Sequence, residues 1–156
     1  MENAKRYLGK LSNLLRSSVD QSDRHYVQTA EEVAFLRDYL DLQSIRFGEA
    51  LRYEVDLSEW VRTRTALPVF SLQVLVENAI KHNRFSREAP LCIRLRSVGA
   101  DRIVVTNNLQ PQSRMNGRKG VGLRNLADRF RHLGTAAPVI REENGFFTVE
   151  LSLLAL

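Results

Sequence analysis

Apolar and polar positions change period several times along the chain, and each change marks an element. Tyr7, Leu8, Leu11, Leu14 and Leu15 recur at helical spacing and predict a first helix. A polar stretch over residues 17–28 breaks it. Thr29-Ala30-Glu31-Glu32 then reads as a capping box, a hydroxyl followed three residues later by a carboxylate, so Thr29 and Glu32 are assigned to capping only. Val33, Leu36, Leu40 and Phe47 carry a second helix. Beyond it, residues 50–57 alternate as a strand, and Pro68 is expected to open a helix. That helix bears an apolar stripe of Leu72, Leu75, Val76, Ala79 and Ile80. Residues 91–96 alternate, and Ile103-Val104-Val105 is a short apolar strand. Residues 109–119 lack apolar periodicity and read as a loop. Leu123, Leu126, Ala127, Phe130 and Leu133 mark a further helix. Two alternating runs then flank Asn144-Gly145, a hairpin signal because both turn positions tolerate positive φ. The sum is an α+β chain: two N-terminal helices, then helices on one face of a mostly antiparallel sheet.

The polar faces of two of these helices carry chemistry. Asn78, Lys81 and His82 follow at i, i+3 and i+4 and share one face. An amide oxygen is a hard ligand for Mg²⁺, and an ammonium is a point charge for phosphate. Glu77, next to Asn78, is placed to polarise a nucleophile or fix the metal's water shell, and Gln73 is its neighbour one turn earlier. Later, Gly120-Val121-Gly122-Leu123 opens a helix, where glycines admit close backbone approach and first-turn N–H groups face an anion. Arg118 and Lys119 precede it in the loop and can close on a polyphosphate.

Composition narrows the setting. The 156 residues suffice for one domain with a helical extension, and 44% hydrophobic with 26% charged is ordinary for a globular protein. No apolar run approaches the roughly 20 residues that span a bilayer, so no membrane contact is expected. The N-terminal residues have no signal-peptide core. A net charge of +5 comes from basic residues spread along the chain, which argues against nucleic acid. The single cysteine, Cys92, lies in an alternating segment and is expected as a reduced core thiol. A cytoplasmic location is expected for these residues, with a membrane anchor in upstream segments of a longer protein left open.

With these motifs in place, the chain resembles the ATP-binding part of sensor histidine kinases of the LytS-like class, within the GHKL ATPases. Residues 72–83 stand where that class has its N box, and residues 120–130 where it has its second glycine box. Residues 11–18 and 31–57 are also similar to it. The resemblance implies a two-layer Bergerat fold binding ATP with Mg²⁺. Asn78 would hold the metal, with Glu77 beside it in the catalytic role. Lys81, His82, Arg118, Lys119, Gly120, Gly122 and Leu123 would line the nucleotide. Asn107 stands where an aspartate usually receives the adenine amine, and its amide oxygen can accept the same bond. The acceptor histidine of this class sits in a Pro-His-Phe-type motif, and none of His25, His82 and His132 has such surroundings. Residues 1–46 are therefore expected to be the later part of a dimerisation and phosphoacceptor region without its histidine, and residues 47–156 the ATP-binding domain. A response regulator, the missing acceptor region and a second copy of the chain are the implied partners. The alternative is a degenerate GHKL interaction module with weak or no nucleotide binding.

Overall fold

A computed structural model of the chain describes residues 1–110 and 121–156. Helix α1 (Glu2–Gln21) runs through the first part of the stretch read as a polar break, and strand β1 (Tyr26–Gln28) occupies its end. Helix α2 (Thr29–Phe47) follows directly. After a short 3₁₀ turn come β2 (Leu51–Asp56), α3 (Glu59–Arg64), β3 (Thr65–Pro68) and α4 (Ser71–His82). Pro68 thus ends a strand instead of opening the helix. Pro68 lies beyond the part of β3 that pairs with the last strand of the chain and faces only Tyr26 of β1, and Val69 and Phe70 turn the chain before α4 begins. Strands β4 (Leu91–Val98) and β5 (Arg102–Asn108) precede α5 (Val121–His132). The chain closes with β6 (Val139–Glu143), β7 (Phe146–Ser152) and β8 (Leu154–Ala155).

The main sheet has the order β2-β4-β5-β7-β6. Only β2 and β4 pair in parallel, Leu51 opposite Leu91, while the other three pairings are antiparallel. Asn144 and Gly145 make the β6–β7 turn with φ of 54° and 78°, as the sequence signal requires. A small second sheet, β1-β3-β8, lies apart.

Alternation decides which face of the main sheet is buried. In β4, Leu91, Ile93 and Leu95 point into the core, and Cys92, Arg94 and Arg96 point out. Cys92 is therefore exposed, which corrects its expected place in the core: its parity along the strand is that of the arginines. Leu72, Leu75, Val76 and Ala79 of α4, with Leu126 and Phe130 of α5, cover the inner face. Helix α2 joins the same core through Val33, Leu36 and Leu40, and turns Phe35 and Leu42 to Leu14 of α1. The division drawn after residue 46 thus follows a helix that shares its core with the sheet. This is the two-layer sandwich expected. Among the described residues, no helix is long and apolar enough to cross a membrane.

Candidate functional site

Helix α4 offers Asn78 half-buried, Lys81 exposed and His82 half-buried, all in its last turns. The start of α5 lies against the same place. A Cβ added at Gly122 would sit 3.6 Å from Val74 Cγ1 and 3.9 Å from both amide atoms of Asn78. The two motifs are therefore neighbours in space, and the absent side chain at Gly122 leaves room beside the amide. Leu123 follows, half-buried and packed on the core. Gly120, Arg118 and Lys119, assigned to the phosphates, lie outside the described residues.

Glu77 is exposed and accepts a hydrogen bond from Gln73 Nε2 at 3.1 Å, the neighbour expected from helical projection. It faces α2, where burial and then the Glu77 charge push the Tyr39 phenol up to about 12. Asn107 is 5% exposed near the end of β5, in line with Ile93 and Phe147 on the helix-covered face. Its Nδ2 donates to the carbonyl of Asn108 at 2.9 Å. One of its donors is thus committed to backbone, and the side-chain oxygen is the atom suited to accept from a ligand.

Asn83, which closes the N-box-like run, was given no role from sequence and joins the two sides of the site. Its Oδ1 accepts from Gln110 N at 2.7 Å, and its Nδ2 donates to Ala79 O at 2.8 Å. Arg84 N also donates to Gln110 O at 2.7 Å. The end of α4 is thereby tied to the segment that follows Asn107.

The capping assignment of Thr29 and Glu32 is overturned. Gln28 precedes α2 without a side-chain cap, and the Thr29 hydroxyl pairs with that of Thr65 at 2.7 Å. Glu32 is fully buried and accepts from the backbone N–H groups of Phe70 at 3.1 Å and Leu72 at 3.0 Å. A carboxylate taken out of water must find donors, and the unpaired amides at the start of α4 are within reach. Burial pushes its carboxyl up to about 7, against the opposing pull of those amides and of Arg129. Arg129, half-buried on α5, donates to the carbonyl of Val69. Glu32 and Arg129 lie on the apolar stripes of their helices, beside Val33 and Leu36 and beside Leu126 and Phe130. A charge on such a stripe is the signal that could have found them.

Among the described residues, no three His, Cys, Asp or Glu side chains gather to hold a metal. The amide oxygen of Asn78 is a hard donor of the kind that fits a Mg²⁺ keeping water and phosphate as its other ligands.

The histidine kinase family matches residues 1–51. A sensor-like histidine kinase of Staphylococcus epidermidis is 38% identical over 93 residues, covering 60% of this chain and 18% of that protein. The sensor protein kinase HptS of Staphylococcus aureus is 36% identical over 86 residues, or 55% of this chain and 16% of that one. The resemblance to sensor histidine kinases stands. This histidine-kinase-like chain spans less than a fifth of the length of either relative. Its fold is also that of solved histidine kinase domains. The domain from a blue-light activated histidine kinase of Erythrobacter litoralis superposes with a TM-score of 0.56 at 17% identity, over 100% of this chain and 76% of that one. The mycobacterial sensor histidine kinase MprB gives 0.51 at 12% identity, over 84% and 99%.

Proposed function

We propose that the chain is the ATP-binding domain of a sensor histidine kinase, presenting Mg²⁺·ATP for γ-phosphoryl transfer to a histidine outside residues 1–156. The observation that carries this reading is the seat of Gly122 against the Asn78 amide. It supports a reading in which an amide oxygen suited to a metal and the N–H groups of a helix start serve one nucleotide. Asn78 holds the metal and Lys81 the phosphates, with His82 and Leu123 lining the nucleotide. Arg118, Lys119 and Gly120 complete the phosphate contacts. Asn107 accepts from the adenine amine. Glu77, exposed beside Asn78, polarises the incoming nucleophile. Bound Mg²⁺ supplies neutralisation of the charge spread over the phosphates. The chain itself positions the nucleotide and excludes water from the adenine end. A response regulator would then take the phosphoryl group from the acceptor histidine, in the cytoplasm.

A second reading, an interaction module that binds nucleotide weakly, draws on Asn107. A neutral amide is a poorer acceptor than a carboxylate, and one of its donors is already spent on Asn108. Calorimetric titration with a non-hydrolysable ATP analogue, with and without Mg²⁺, separates the two. Binding that Mg²⁺ strengthens, with the enhancement lost in Asn78→Ala while circular dichroism is unchanged, is the expected outcome. No binding at millimolar nucleotide sinks the kinase reading.

A further inference from the structure

Glu32 and Arg129 act on one peptide group. The N–H of Phe70 donates to Glu32 and the carbonyl of Val69 accepts from Arg129. These are the two polar ends of the peptide that joins Val69 to Phe70. One end is held by a carboxylate from α2 and the other by a guanidinium from α5. The second oxygen of Glu32 takes the N–H of Leu72, inside the first turn of α4.

The backbone at this point is under strain. Phe70 adopts φ 63° and ψ 15°, the left-handed region that a residue with a bulky side chain avoids. Its ring packs on Phe35 of α2, with centroids 5.5 Å apart. Val69 N donates to His25 O at 3.3 Å. The turn is therefore over-determined from three sides, which is how strained backbone persists.

Arg129 also closes a geometric loop. Two contacts tie α5 to α4 and to the turn before it. Gly122, in the first turn of α5, lies on Val74 and Asn78. Arg129, two turns later, reaches back to Val69 just before α4. Whatever fixes the Val69–Phe70 peptide thus fixes the register of α5 along α4, and with it the gap between Gly122 and Asn78. Arg129 is the charged side chain that acts on Glu32. The turn at Phe70 and the start of α4, at Leu72 and Gln73, present backbone amides.

We propose that Glu32 is a positioning residue for the nucleotide site: through the Val69–Phe70 peptide and Arg129 it couples α2 to the spacing of Asn78 and Gly122. The proposal rests on the nucleotide reading of that site for its consequence, and on the clamp geometry for its cause. Motion of α2 against α4 would loosen the clamp and open the site at a distance.

The test uses the full chain, ¹⁵N-labelled, as wild type, Glu32→Gln, Arg129→Met and the double variant. Glu31→Gln, an exposed neighbour paired with Arg24, is the control. In Glu32→Gln the backbone signal of Gly122 and the side-chain amide of Asn78 are expected to shift. Affinity for a Mg²⁺·ATP analogue is expected to fall about tenfold, while Glu31→Gln leaves both unchanged. The double variant should lose no more than the worse single one. A folded Glu32→Gln with wild-type Gly122 and Asn78 signals and unchanged affinity overturns the proposal. Should Glu32→Gln not fold, a pH titration of the wild type decides. Carboxyl protonation should move Leu72, Gly122 and Asn78 signals with one shared midpoint, and movement of Leu72 alone refutes the coupling. Absence of nucleotide binding by the wild type removes the functional reading but leaves the signal shifts to judge the clamp.

Discussion

Two single atoms separate ordinary positions from consequential ones in this chain. The first is the proton on Glu32. The folded state binds it more tightly than the unfolded chain does, because the carboxyl rises from its ordinary 4.5 to about 7. Its contribution to stability is therefore full below about pH 4.5 and disappears as pH climbs through 7, a difference on the order of 3 kcal/mol at most. Denaturant melts at pH 5 and pH 8 should show this loss in the wild type, and a flatter response in Glu32→Gln. Glu32→Ala should cost more at every pH. It orphans the part-buried N–H of Phe70 and the buried N–H of Leu72, at about 1–3 kcal/mol for the buried one. The second atom is the hydrogen in place of a side chain at Gly122. A methyl there meets its neighbours at ordinary contact distance, so Gly122→Ala should keep its melting temperature within a few degrees. It fills the space beside the Asn78 amide, and nucleotide affinity should fall by tenfold or more in the same titration.

At the scale of elements, amphipathic pattern was the reliable guide and local motif the unreliable one. The stripes of α4 and α5 predicted their buried faces, and Asn144-Gly145 its hairpin. The Thr29–Glu32 signature described a cap, but burial of Glu32 redirected its carboxylate to another helix, a tertiary effect no local spacing encodes. Strand β3 went unread because it is buried on both faces and has no alternation to see. Cys92 was misplaced because alternation fixes two faces without saying which is inner. In the site, Asn78 and Gly122 are legible as motif residues, whereas Asn83 acts through backbone groups that have no sequence signature and Arg129 shows only as a charge on an apolar stripe. Helix α1 differs from α2 in what it owes the core. Leu8, Leu15 and Val19 stand exposed, while Val33, Leu36 and Leu40 are buried. Deleting residues 1–22 should therefore leave a cooperative melt. Deleting residues 1–46 should abolish it and leave an aggregation-prone chain, as scored by calorimetry and light scattering.

For the whole molecule, the distribution of histidines sets an expectation about chemistry. His25 is exposed in the turn before β1, and His132 is held to the carbonyl of Asp128 at 2.8 Å. Neither lies in a Pro-His-Phe-type motif. Incubation of the chain with γ-labelled ATP should leave no acid-labile phosphate on it, and label on either histidine would show that the acceptor lies within. The order of the main sheet has a consequence in time. Strands β4–β5 and β6–β7 are neighbours along the chain and can pair early. The pairings β2–β4 and β5–β7 must each wait for a long excursion to close, which is entropically slow. One excursion contains α4 and the other contains α5. The contact of α5 with α4 at Gly122 and Asn78 is therefore completed late in folding, and a ligand bound at the proposed nucleotide site would report a finished molecule.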